Sequence, residues 1–91
     1  MKVNTLSELA DLRQAILIYF LEPRSVEHMR QEEPFITLVN DGVFIWGRIK
    51  GMRRSLVAAG LLEHVRGSTA DVVLKTTDFG RQMLQVAEGG D

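Results

Sequence analysis

Arg48, Lys50, Arg53 and Arg54 crowd into a short stretch near the middle of this 91-residue chain, and Arg66 follows after a gap in which Glu63 is the only acidic residue. Guanidinium and ammonium groups at that density can pair with anionic oxygens, arginine as a planar fork and lysine as a point charge. Ser68 and Thr69, just past Arg66, add hydroxyls able to donate to phosphate oxygens. The net charge of the whole chain is −1, because the segments on either side are acidic on balance. A basic segment inside an acidic chain still produces a directed field, and the sign of the local patch matters more than the total. The plainer alternative is a solvated helix face, and Arg53 in particular could instead pair with Glu63 or Asp41.

Other chemistry is poorly provided for. His28 and His64 have no cysteine companions and no His-x-x-x-His spacing, so they do not form a metal motif. There is no Gly-x-x-x-x-Gly-Lys phosphate loop and no Gly-x-Ser-x-Gly elbow. Glu32 and Glu33 beside Pro34 read as polar surface. With no cysteine there are neither disulfides nor thiolate ligands. The expectation is a non-enzyme with no cofactor, no metal and no small-molecule effector, the chain being too short to build a pocket as well as a core.

The elements that would position these residues follow from periodicity. The apolar fraction of 45% suits one globular domain, drawn here as 1–88 with 89–91 as a disordered tail. No apolar run approaches a membrane span and no secretory segment opens the chain, so a cytoplasmic location is expected. Thr5-Leu6-Ser7-Glu8 has the form of a capping box, and Leu6, Leu9, Leu12, Ile16, Tyr19 and Phe20 recur at helical steps, predicting a helix over 6–21 stopped before Pro23. Ser25 can cap a short helix over 26–32, whose outer side, Glu27, Arg30 and Glu32, reads as ordinary surface. Segment 35–39 has strand composition before the Asn40-Asp41-Gly42 turn signal; a short strand and a turn of helix both remain open.

Ile45, Ile49, Met52, Leu56 and Ala59 step as a buried helical stripe, predicting a helix over 43–59 capped by Asp41 or Asn40. Gly60 stands where a helix end needs positive φ. Gly47 and Gly51 each cost such a helix roughly 1 kcal/mol against alanine. They permit close approach of the backbone to another molecule, or they simply fit against a neighbouring element. Two strand-like runs, 61–66 and 71–75, flank the turn composition of 67–70 and predict a hairpin. Thr77 caps a last helix, 78 to 87, with Phe79, Met83, Leu84 and Val86 on its apolar side.

Arg53-Arg54-Ser55-Leu56-Val57-Ala58-Ala59-Gly60-Leu61-Leu62-Glu63 resembles the end of a recognition helix entering a first wing strand in the winged helix-turn-helix superfamily. Thr77-Asp78-Phe79-Gly80-Arg81-Gln82-Met83-Leu84 is similar to the Leu-Thr-x-x-Gly-x-x-x-Leu pattern that leaves the wing, with Thr76 in the place of the leading leucine. The resemblance implies an α+β, mainly helical fold: three helices, a β-hairpin wing and a C-terminal helix. It implies a small transcriptional regulator that binds double-stranded DNA sequence-specifically. Helix 43–59 would lie in the major groove and wing 62–75 on the backbone, using Arg48, Lys50, Arg53, Arg54, Arg66, Ser68 and Thr69. A homodimer is expected, joined through the first and last helices. About ten residues separate 26–32 from 43–59 where the family has three or four; either 35–39 is itself the second helix or the turn carries an insertion. Phe44 and Trp46 suit a reading helix poorly. Trp46 packs beneath 35–39 as core, contacts DNA, or joins Phe44 and segment 35–39 as the protein-binding surface of an interaction module.

Overall fold

A computed structural model describes residues 3–66 and 72–88, the last two for their backbone only. The first helix, α1 (Leu6–Tyr19), begins with the expected capping box: the Thr5 hydroxyl accepts from the Glu8 amide at 3.1 Å, and the Glu8 carboxylate accepts from the Thr5 amide at 2.9 Å. The helix buries Leu12, Ile16, Leu17 and Tyr19. It ends two residues before the expected boundary. Leu6, placed by spacing on the apolar face, is 86% exposed, because the core begins one to two turns further on.

The chain then forms a two-residue strand, β1 (Arg24–Ser25), which the sequence did not signal. A 3₁₀ helix (Glu27–Gln31) follows in place of the expected 26–32 helix, with the Ser25 hydroxyl accepting from the Glu27 amide and Met29 buried. Segment 35–39 is helical: α2 (Phe35–Asn40) buries Phe35 and half-buries Leu38 and Val39. These positions are i, i+3 and i+4, a helical spacing that so short a run cannot distinguish from a strand.

Two glycines end successive helices in the same way. Gly42 (φ 75°) and Gly60 (φ 82°) take the left-handed conformation that glycine adopts without a Cβ penalty. After α2, the Gly42 amide donates to the Val39 carbonyl and the Val43 amide to the Leu38 carbonyl. The Phe44 amide shares the Leu38 acceptor at 3.2 Å. Residues 41–44 therefore belong to the end of α2, and α3 (Trp46–Ala58) starts three residues later than expected. Its cap is Ile45, which is extended and makes no side-chain capping bond, while Asp41 caps the C-terminal end of α2 instead. Within α3, Ile49 and Leu56 are buried and Met52 is half-buried. Ile45 and Ala59, expected in the same stripe, are exposed. After α3, the Gly60 amide donates to the Val57 carbonyl and the Leu61 amide to the Leu56 carbonyl.

The hairpin consists of β2 (Leu62–His64) and β3 (Val73–Thr76), antiparallel, with Leu62 opposite Thr76 and His64 opposite Leu74. β1 adds to the other edge of β3, giving the order β1-β3-β2. The last helix is α4 (Asp78–Glu88). Together these make a small α+β domain in which four α-helices, a 3₁₀ helix and a three-stranded antiparallel sheet enclose one core. Phe20, Phe35, Ile16, Ile49, Leu62 and Leu74 lie at its centre. Tyr19 packs edge-on against both Phe20 and Phe35. No helix among the described residues is long and apolar enough to cross a membrane.

Three close-set residues lock the helix ends together. The buried Thr76 hydroxyl donates to the Leu17 carbonyl at 2.7 Å, and its amide donates to the Phe20 carbonyl at 2.7 Å, so β3 satisfies the last turn of α1. Thr77 caps α4, accepting from the Gly80 amide, while its hydroxyl donates to the Gly60 carbonyl at 2.7 Å. A Cβ on Gly80 would collide with the Leu61 carbonyl and the Thr76 methyl, so only glycine lets α4 lie this close to the end of α3. Of the apolar residues assigned to α4, Leu84 is buried, but Phe79, Met83 and Val86 face outward.

Candidate functional site

The helix α3 sorts its cations between two flanks. At about 100° per residue, Lys50, Arg53 and Arg54 fall on one side with Trp46 and Val57. Arg48 lies about 160° round from Lys50. The surface agrees with this count: Lys50, Arg53 and Arg54 line one open cleft with Val57, His64, Val72 and Leu74, between α3 and the hairpin. Lys50 and Arg53 also line a recess of about 150 Å³ on the other side of that ridge, shared with Val26, Glu27, Met29, Arg30, Trp46 and Ile49. Arg48 is exposed and lines neither. Of the cations expected to contact DNA from α3, Arg48 stands apart, on the other flank, as helical spacing requires.

No described carboxylate neutralises these cations. Glu63, a possible partner for Arg53, faces Lys75 across the β2–β3 pair at 3.8 Å, and His28 faces Glu32 at 3.3 Å. Among the described residues no ion pair reaches Arg30, Lys50, Arg53 or Arg54. Arg53 is half-buried. Burial first, and then the neighbouring Arg54 and Arg30, hold its guanidinium below the usual arginine range. A partly desolvated charge between two like charges costs free energy unless an anion joins them.

Arg30, expected at the surface, is exposed, but its position over Trp46 is one that spacing did not signal. Its guanidinium sits over the Trp46 ring, 5.6 Å from the centroid. No periodicity in the chain links a 3₁₀ residue to the first turn of α3, so only the packing of the two elements brings them together. Trp46 is half-buried beside the 3₁₀ helix, where it lines the recess with Val26 and Met29. Phe44 is 3% exposed and belongs to the core, so it cannot serve as an exposed anchor for a partner as one reading had it. His64 is exposed on the cleft beside the α3 cations.

Arg66 is exposed beyond β2, and no described contact joins it to α3. Ser68 and Thr69 lie outside the described residues. Gly47 and Gly51 do not owe their identity to tight internal packing. A Cβ at Gly51 would meet nothing within 4 Å, and one at Gly47 would meet only the tip of Ile45 at 3.9 Å. With Ala58 they surround Arg54 on the outermost face of α3, where it is the one long side chain. No group of three His, Asp or Glu among the described residues converges as a metal site.

No protein-family model matches the chain, and neither a curated protein nor a solved structure is significantly similar to it.

Proposed function

We propose that this chain is a small winged helix-turn-helix protein that binds duplex DNA, with α2 and α3 as the helix-turn-helix and β2–β3 as the wing. The supporting order is α1, β1, a 3₁₀ turn, α2, α3, the hairpin and α4. The separation between α2 and α3 is five residues, 41–45, close to the short connection of a helix-turn-helix. One observation carries the reading: Lys50, Arg53 and Arg54 converge, with no acidic partner among the described residues, on the flank of α3 that faces the hairpin. The major groove, about 12 Å wide, accepts one helix. Gly47, Gly51 and Ala58, set around Arg54 on the outer face of α3, would let the backbone approach the groove with Arg54 leading, Lys50 and Arg53 toward one phosphate wall and Arg48 toward the other.

The test is anisotropy of a labelled duplex of mixed sequence, titrated at several salt concentrations. Contacts from Lys50, Arg53 and Arg54 to two or three phosphates predict a slope of about −2 to −3 in log affinity against log salt. The K50A/R54A variant removes two exposed side chains and leaves the core intact, so it should fold normally by circular dichroism and bind at least tenfold more weakly. Binding by that variant as tight as native would sink the assignment.

A further inference from the structure

The recess behind α3 is built differently from the cleft in front of it. Arg30 from the 3₁₀ helix and Lys50 and Arg53 from α3 meet around about 150 Å³ of space. The floor is apolar, made by Met29 and Ile49, both buried. Trp46 forms one wall and holds the Arg30 guanidinium against its ring. A guanidinium drawn to a ring face is partly ordered before any ligand arrives, which lowers the cost of binding. Glu27 also borders the recess, but it is exposed and makes no ion pair with these cations. Three positive groups on a dry floor form a site for a compact polyoxygen anion.

We infer that this recess is a phosphate-binding clamp in which Arg30, oriented by Trp46, and Lys50 and Arg53 grip one phosphate group. Within the proposed function, on which this inference rests for the identity of its ligand, that group is a backbone phosphate at the edge of the groove that α3 enters. Arg30 and Trp46 thereby extend the DNA contact from α3 to the 3₁₀ helix. A chain with the reading helix alone would lack this anchoring point. The same chemistry would also accept free phosphate or pyrophosphate, and the experiment separates the two sources.

Trp46 is the only tryptophan in the chain, so its emission reports on this recess without background. The native protein and R30Q are titrated with a 16-base-pair duplex and, separately, with inorganic phosphate and pyrophosphate, following Trp46 emission and, for the duplex, anisotropy. Arg30 is exposed, so R30Q leaves the fold intact, which circular dichroism checks. For a clamp on backbone phosphate, the duplex changes Trp46 emission in the native protein. R30Q then binds the duplex roughly tenfold more weakly, while Lys50 and Arg53 still neutralise that phosphate. If R30Q binds duplex with native affinity while K50A/R54A does not, the clamp is overturned and the DNA reading stands. If the duplex does not bind at all, yet pyrophosphate changes native Trp46 emission and not that of R30Q, the phosphate site stands and the DNA reading fails. If neither ligand produces a change that depends on Arg30, the clamp is overturned.

Discussion

Replacing Gly51 by alanine separates what the fold wants from what the proposed function wants. Gly51 lies inside α3, more than a turn from either end, and a Cβ built there touches nothing within 4 Å. No clash offsets the helix propensity of alanine, so the whole benefit, about 0.8–1.0 kcal/mol, should appear as stability. For a domain of this size, 1 kcal/mol corresponds to roughly 4–8 °C in melting temperature. We therefore expect G51A to melt about 4–8 °C higher, with an unchanged urea m-value because the buried surface is the same. Against duplex DNA the expectation is opposite. A methyl on the outermost line of α3 would hold the backbone off the groove, and overpacking a close contact by one carbon costs about 1–3 kcal/mol, so anisotropy should register weakening of about tenfold. A more stable protein that binds less well is the signature. If the melting temperature fails to rise, the open surroundings assigned to Gly51 are wrong. If the protein stabilises and binds as before, the small residues around Arg54 have no part in recognition.

Two further predictions concern the fold. Thr76→Val keeps the shape of a buried residue but removes the donor to the Leu17 carbonyl, and an acceptor left unpaired in the core costs about 1–3 kcal/mol. Thermal melts should show that loss for valine and a much smaller one for Thr76→Ser, which keeps the hydroxyl; equal stability of valine and native would discount the bond. Tyr19, the only tyrosine, donates its hydroxyl to the Ser25 carbonyl at 3.2 Å. Burial raises its pKa above the ordinary value near 10, opposed by Arg24 and reinforced by Glu32. The folded state then holds the phenolic proton to higher pH than the unfolded chain does, so stability falls as pH climbs from about 10 through the folded value. Absorbance titration of the phenolate should give a midpoint above 10 in the native protein and near 10 in urea, and coincident midpoints would contradict the burial.

Local chemistry wrote much of this fold directly into the chain. The capping box at Thr5 and Glu8, the cap at Thr77 and the left-handed Gly60 all depend on residues within a few positions of one another. Those interactions are set by backbone geometry that neighbours in sequence control. Tertiary packing decided the rest. Segment 35–39 is a helix because Phe35, Leu38 and Val39 turn one side to the core, and the start of α3 moved to Trp46 because Val43 and Phe44 give their amides to Leu38. Strand β1 exists only because β3 offers it an edge. The candidate site divides the same way. Spacing on one helix is enough to put Lys50, Arg53 and Arg54 on a common flank and Arg48 on the other. The meeting of Arg30 with Trp46 joins elements remote in sequence, and no helical or strand period reaches across such a gap.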